Sequence, residues 1–541
     1  MSEFSSAVPP LPKPAQWWVR LFFAALLLLG LAVFRDYGVS WDEPVDRLNG
    51  LVSARYVSEL LAPGWAKRQM LLQSAPDFHS FIENDHGVLF ELPLAFFDQL
   101  RPSTDTRTYY LARHLCVFLG CVAGTWALYR IARQRFQDWR LGLLAAALLV
   151  LSPRLFAESF YNGKDLVFLS VFTLAIFTLV RLLAQPTRRR AVLHGIATGA
   201  AVDMRVLGLL IVGLTLGMLL LEAWYNPAAT PAFKRQLRRC GAVYGAAMIV
   251  AMIIGWPFLW SSPATNLWHA FRNMSHFRWE GTVFYLGNMV VATKLPWHYA
   301  PVWIVVTTPV QYTAAFVAGL LVTLAALARH RLAALHTFEG RLDVLFLGWV
   351  LVPLAMVIGL KSVIYDGWRH LYFIYPAFLL LAVRGAQAFW QATRVSLWRR
   401  RLAVAVAAAA ALATVHTAVR MVRLHPHQQV YFSFLPNEKA QQLFELDYWA
   451  LSYRQGLEYL QARHPTGRIR VNGPSPTVIA NNLLLLSPAE QSRFDVEATG
   501  PGSYFLTGYR WHPEPYPPST GREVYTVRPD GLRILSVFEQ P

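Results

Sequence analysis

Four short segments of this chain set ionisable side chains at the margins of long apolar runs. WDEP (41–44) brings Asp42 and Glu43 in directly after the first run. SPRLFAESFYNGKD (152–165) brings Glu158, Lys164 and Asp165 to the start of a later one. Asp203 and Arg205 occupy a short break at 203–205, and LKSVIYDGWRHLYFIYP (360–376) supplies Lys361, Asp366, Arg369 and His370. A charge inside a membrane span costs about 2.5–3.5 kcal/mol on insertion scales, so one at its margin calls for water, a partner or a task. A carboxylate can take a proton from a nucleophile. Lysine and arginine can hold a phosphate and stabilise the charge it gains on leaving.

The rest of the chain must position these groups. It has 541 residues, 55% of them hydrophobic and only 15% charged, with a mean hydropathy of +0.33. A soluble chain carries about a quarter charged residues. The apolar residues gather in runs of roughly 18–25, the length that crosses about 30 Å of hydrocarbon. The spans expected are 17–34, 110–130, 140–153, 165–182, 191–203, 205–222, 241–260, 302–328, 343–360, 370–390 and 402–418, about eleven in all. The third and fifth are short, and 191–222 could instead form one long broken helix.

Orientation follows from lysine and arginine. Arg130, Arg133, Arg135 and Arg140, then Arg188, Arg189 and Arg190, then Lys234, Arg235, Arg238 and Arg239, then Arg329 and Arg331, and finally Arg399, Arg400 and Arg401 fall in alternate loops. That places these loops and the N-terminus in the cytoplasm. The net charge of +18 is then positive-inside bias and requires no nucleic-acid partner. Cys116, Cys121 and Cys240 fall in or beside spans and suit packing better than a disulfide framework. An Ala-, Leu- and Arg-rich composition suggests a GC-rich bacterium, hence a multi-pass protein of the inner membrane with its C-terminal domain in the periplasm.

Four parts follow: a tail and first transmembrane helix (1–34), a first periplasmic loop (35–109), a transmembrane bundle (110–420) and a periplasmic α/β domain (421–541). The loop is far longer than a connector needs to be. VDRLNGLVSARYVSELLA (45–62) and GVLFELPLAFFDQL (87–100) read as interfacial helices that roof the bundle. In the last part, DYWALSYRQGLEYLQAR (447–463) reads as an amphipathic helix, RIRVN (468–472) as a strand, TVIANNLLLL (477–486) as a helix and SYFLTGY (503–509) as a strand. REVYTV and LRILSVF flank Arg528, Pro529, Asp530 and Gly531, a hairpin signal.

A sugar joined through phosphate to a long polyprenyl lipid would set its phosphate at headgroup level, where the cations are expected. An acceptor hydroxyl would approach from the aqueous side. The chain at this point resembles the GT-C membrane glycosyltransferases, and among them the family 39 protein O-mannosyltransferases and lipid A aminoarabinose transferases. The resemblance is carried by WDEP after the first span, HGVLFELPLAFF (86–97), SPRLFAESFYNGKD, GIATGAAVDMRVLG (195–208) and YDGWRHLYFIYP, over roughly residues 15–390. It implies a polyprenyl-phosphate sugar donor, inverting transfer and an Asp of the first outer loop as general base, matched by Asp42. Glu43 would support that base or contact the acceptor. Lys164 and Asp165 match the polar entry of the fourth span, Arg205 a donor-phosphate position, and Arg369 and His370 a basic site late in the bundle. The loop has no Asp-X-Asp motif, so no cofactor is expected and a divalent metal is disfavoured. The C-terminal part does not resemble a β-trefoil, which leaves the acceptor open among glycolipid, glycan and protein.

Plainer readings exist for each group. Asp42 and Glu43 could cap a helix, since Pro44 suits its first turn. Lys164 and Asp165 could be an ordinary ion pair, and Arg205, Lys361 and Arg369 could snorkel to the interface. His79 and His86, with Glu83 and Asp85, fit no tight metal site. A transporter or flippase of lipid-linked sugars is the main alternative function. It would be expected to show repeated halves and charges at mid-span, and neither is seen here.

Overall fold

The computed structural model describes residues 10–100, 105–275, 279–393 and 396–541. Among them nine helices are long and apolar enough to cross a membrane. They are Lys13–Val33, Thr106–Phe136, Asp165–Ala184, Val206–Tyr225, Pro231–Gly255, Val310–His336, Phe338–Gly359, Arg369–Ala392 and Leu397–Leu424. A bent pair, Trp139–Val150 and Pro153–Tyr161, meets at 71° and makes a tenth when counted as one span. Pro153 explains the bend, because a proline lacks the N–H that would continue the helix and restricts the residue before it.

The segment at 191–203 becomes part of a helix, Arg188–Met204, that is too short and too polar to pass as a span. It is nonetheless integral to the bundle. Gly195 and Gly199 let it lie against Pro231–Gly255, where an added Cβ would stand 2.6 Å from the Tyr244 carbonyl or 2.8 Å from that of Met248. The break is real: Arg205 is extended, a 3-10 turn covers Val206–Gly208, and a new helix runs Leu209–Tyr225.

In the first outer loop the two main helices are Asp42–Leu61 and Glu91–Asp98, packed against each other. The first of them buries Glu43, Asp46 and Asn49, so its polar side is turned into the protein and not to water. A β-hairpin, β1 (Thr282–Tyr285) with β2 (Asn288–Val291), interrupts a later loop. The chain from 361 to 374 is irregular. Lys361 and Asp366 take positive φ, Gly367 follows at +74°, and a 3-10 turn spans Arg369–Ile374. Trp368 Nε1 donates to Thr307 Oγ1 at 2.9 Å and pins that turn to the bundle.

The C-terminal part forms a five-stranded mixed sheet in the order β4-β3-β5-β7-β6. Its strands are β3 (Ile469–Asn472), β4 (Phe494–Val496), β5 (Tyr504–Gly508), β6 (Arg522–Val527) and β7 (Leu535–Glu539). β3 runs parallel to β4 and β5, while β7 runs antiparallel to β5 and β6. The helix expected over 447–463 starts only at Tyr453, and the residues before it form a buried turn. Cys116, Cys121 and Cys240 are all unpaired.

The tightest crossing in the bundle joins Val310–His330 to Tyr375–Ala392. A Cβ on Gly319 would overlap the Leu381 carbonyl, and one on Gly385 would overlap that of Ala315. Close backbone approach of this kind is what small residues allow in lipid, where no hydrophobic force drives helices together. Gly319→Val should therefore lower the melting temperature of the detergent-solubilised protein, by a destabilisation of about 1–3 kcal/mol typical of overpacking.

Candidate active site

The helix Asp42–Leu61 begins directly at WDEP, with no side-chain cap on its first turn. Its two leading carboxylates go different ways. Glu43 is wholly buried: Oε2 accepts from the Ser40 backbone N–H at 2.8 Å, and Oε1 faces His114 Nε2 at 3.0 Å and Arg113 Nε at 3.5 Å. It has no open surface for the acceptor contact that was one of its two expected roles, and it bonds the turn that precedes Asp42. Asp42 keeps 35% of its side chain exposed, and its Oδ2 accepts from Arg369 Nη1 at 3.1 Å.

Arg369 is only 3% exposed. Beyond Asp42 it meets Asp165 Oδ2 at 3.1 Å and Asp366 Oδ2 at 3.3 Å. Its guanidinium lies 4.8 Å from the Tyr365 ring centroid and 4.7 Å from that of Trp449. Its two terminal nitrogens face these carboxylates, while its Nε has no hydrogen-bond partner among the described residues. His370 packs against Tyr365 in a T-shaped arrangement, 4.7 Å between centroids, and its Nδ1 has no hydrogen-bond partner among the described residues.

Two cations beside Asp42 keep exposed surface. Lys164 is 27% exposed and reaches Asp46 Oδ1 at 3.0 Å; Arg205 is 17% exposed and reaches Asp165 Oδ1 at 2.5 Å. Burial alone would lower the Lys164 ammonium, but the carboxylates of Asp46 and Asp42 outweigh it and raise its pKa above the ordinary lysine range. Asp165 starts its helix because Asn162 Oδ1 accepts from its backbone N–H at 2.8 Å. Gly163 is needed there, since a Cβ would come within 2.6 Å of Arg113 Nη2. Arg205 is aimed by its neighbours: Asp203 Oδ1 accepts from Val88 N–H at 3.2 Å, and a Cβ on Gly87 would overlap the Asp203 carbonyl. The HGV segment (86–88) is thereby pressed onto the break that presents Arg205.

Three expected site residues fall elsewhere. Glu158 is fully buried beneath the site and accepts from Tyr372 and Tyr448 hydroxyls, each at 2.8 Å, and from Asn162 Nδ2 at 2.7 Å. It is a support and no substrate contact. Lys361, itself left-handed two residues past the end of the helix Phe338–Gly359, is exposed and makes no ion pair among the described residues. His86 pairs locally, its Nδ1 standing 3.0 Å from Glu83 and 3.3 Å from Asp85, while its carbonyl accepts from Trp256 Nε1 at 3.1 Å. His79 instead lies edge-on to Tyr56.

Arg113 was not anticipated, although an ionisable residue inside an apolar run is itself a signal. It is fully buried and bridges Glu43, Asp46 at 3.1 Å, and Glu91, so it ties WDEP to FELP of the same loop. Tyr448, Trp449 and Arg510 come from the C-terminal domain. No spacing in the sequence points from them to the bundle. Arg510 pairs with Asp366 and with Glu445 Oε2 at 3.3 Å.

Residues 85–260 match the family model described as dolichyl-phosphate-mannose-protein mannosyltransferase, a stretch that holds Glu158, Lys164, Asp165, Asp203 and Arg205. Two solved structures of ArnT from Cupriavidus metallidurans are similar at 14% identity, each covering 97% of this chain and 98% of that one. The apo structure gives a TM-score of 0.50, and the one bound to undecaprenyl phosphate gives 0.49. The chain is a multi-pass membrane protein with the GT-C glycosyltransferase fold. No curated protein sequence matches it at a significant level. The family match covers HGVLFELPLAFF (86–97), SPRLFAESFYNGKD (152–165) and GIATGAAVDMRVLG (195–208), while Asp42 and Arg369 lie outside it.

Burial pushes the Glu445 carboxyl up to about 7 against the pull of Arg510, and it raises Asp366 against Arg510 and Arg369. The native state then holds a proton on Glu445 that an unfolded chain, with its ordinary value of 4.5, has released. Where the native state binds more protons, stability falls as pH rises. The Glu445 contribution to stability should thus decline between pH 4.5 and about 7 and level off above, read as the difference in melting temperature between the wild type and Glu445→Gln. Thermal unfolding of both in detergent across this range checks it.

Proposed function

We propose that this protein transfers a sugar, with inversion, from a polyprenyl-phosphate donor to a hydroxyl or similar nucleophile of a glycolipid, glycan or protein acceptor. The reaction takes place at the periplasmic face of a bacterial inner membrane. One observation carries the reading: Asp42 is an exposed carboxylate anchored through one oxygen, beside two cations, Lys164 and Arg205, that keep open surface at the end of an apolar bundle. The description of the family model over 85–260 names a polyprenyl-phosphate sugar as donor and supports the same donor class here.

Asp42 Oδ2 is engaged by Arg369, which leaves Oδ1 to take the proton. The acceptor oxygen attacks the anomeric carbon as it loses that proton. The carbon–oxygen bond to phosphate breaks, and its electron pair leaves with the lipid phosphate. Lys164 and Arg205 meet the charge that develops there, and fixed cations of this kind require no reorganisation at the moment of reaction. Arg369, Asp165 and Glu43 hold the base and the cations in place.

Asp42→Asn should cut transfer by about 100- to 10,000-fold, the usual contribution of a positioned base, while expression and membrane insertion stay intact. Mass spectrometry of surface glycolipids and glycans from cells carrying each form reads this out, and full modification with Asp42→Asn would reject it as the base. Arg205→Ala should raise the lipid donor concentration needed for half-maximal rate. An unchanged requirement removes Arg205 from the phosphate site.

A further inference from the structure

The segment FELDYWALSYRQGLEYL (444–460) has no role in the transfer as described so far, yet the structure puts its first half against the active site. Helix begins only at Tyr453. Before it, Asp447 and Ala450 take positive φ, and the Asp447 carboxylate ties the turn by accepting from Leu451 N–H at 3.3 Å, Ser452 N–H at 3.1 Å and Ser452 Oγ at 2.5 Å. Gln429 Nε2 donates to the same carboxylate at 2.9 Å. This turn presents Tyr448 to Glu158 and the face of Trp449 to Arg369.

The same domain also grips the chain just before Asp42. Arg454 Nη1 donates to the Tyr37 carbonyl at 2.8 Å, and Val39 N–H donates to Asn482 Oδ1 at 3.3 Å. Gly38 lies so close that a Cβ would stand 2.7 Å from the Leu451 carbonyl. On the other side, Arg510 shares Asp366 with Arg369. The C-terminal domain therefore contacts both the chain before Asp42 and the carboxylate that Arg369 shares.

We propose that the C-terminal domain is the jig of the active site, with Trp449 and Arg510 as positioning residues that act through Arg369 on the direction of Asp42. The inference deepens the proposed function and rests on it for the reaction concerned. Trp449 closes one face of the guanidinium, with Tyr365 at the ring-contact distance already given, so the plane can present an N–H to Asp42 in one orientation only. Arg510 neutralises Asp366, which would otherwise draw Arg369 away from the base. Neither side chain contacts substrate in this scheme.

The test uses the full chain in detergent or nanodiscs, with undecaprenyl phosphate as the binding probe and membrane donor pools for transfer. Trp449→Leu should lower kcat by about 100-fold, the loss that misplacement of a catalytic group by about 1 Å brings, while KM for donor and binding of undecaprenyl phosphate stay as in the wild type. Trp449→Phe, which keeps an aromatic face, should recover most of that loss. Hydrogen exchange should rise in peptides covering 361–374 in Trp449→Leu and not in Trp449→Phe. Should Trp449→Leu fail to fold, Arg510→Gln against Arg510→Lys makes the same comparison, with Lys restoring both kcat and protection.

An unchanged kcat in Trp449→Leu or Arg510→Gln, or equal losses in the conservative and disruptive variants, overturns the positioning role. Loss through KM alone overturns it too and makes Trp449 a substrate contact. A wild-type chain that neither binds undecaprenyl phosphate nor transfers sugar overturns the proposed function instead. The exchange comparison then still decides whether the domain holds the 361–374 segment.

Discussion

A buried guanidinium organises this protein. Taking Arg369 out of water carries a desolvation penalty of several kcal/mol, which a protein offsets only with good geometry and satisfied partners. Three carboxylates and two aromatic rings answer its charge, and they come from four separated parts of the chain: Asp42, Asp165, the 365–366 loop and Trp449. Each must be in place for the others to be tolerable. Removing one partner of such a pair costs about 3–5 kcal/mol because it strands a charge. The same demand that assembles the site makes it rigid.

Around Arg369 the charges alternate. Asp42, Arg369, Asp165 and Arg205 follow one another by direct ion pairs, and Glu43, Arg113, Asp46 and Lys164 form a second line beside them. Each buried charge is thus answered by the next, and the wholly buried cations are spent on carboxylates. The groups left with open surface at the ends of these lines are Asp42, Arg205 and Lys164, and those are the three that the proposed chemistry uses. Other buried pairs in the bundle serve packing. Arg135 binds Asp343 through two bonds of 2.6 Å, and Arg341 meets Glu222 at 2.6 Å.

Much of this arrangement was legible before any coordinates. Most of the apolar runs, the break at 203–205, the helix after WDEP and four of the five strands of the last hundred residues follow from local pattern, because burial against lipid or a sheet imposes its period on the residues themselves; the edge strand Phe494–Val496, only three residues long, is too short to show one. The margin charges Asp42, Lys164, Asp165, Arg205 and Arg369 do converge. What local pattern misjudged was exposure. Glu43 and Glu158 looked like rim carboxylates and are buried supports, and Lys361 looked like a phosphate ligand and points away. The turn at 447–452 read as helix because its aromatic residues keep helical spacing, but it is their burial against Arg369 and Glu158 that sets its shape.

By itself, then, the sequence determined that this is a bundle of membrane helices with charged margins and a small α/β domain. Hydropathy, turn residues and helix-terminal charges act over a few neighbours and leave their record there. Only tertiary structure decided which carboxylate stays open, which cations are neutralised, and that the C-terminal domain clasps both Asp42 and Arg369. An ion pair depends on distance and dielectric, and both are settled by contacts across hundreds of residues, such as the 327 that separate Asp42 from Arg369.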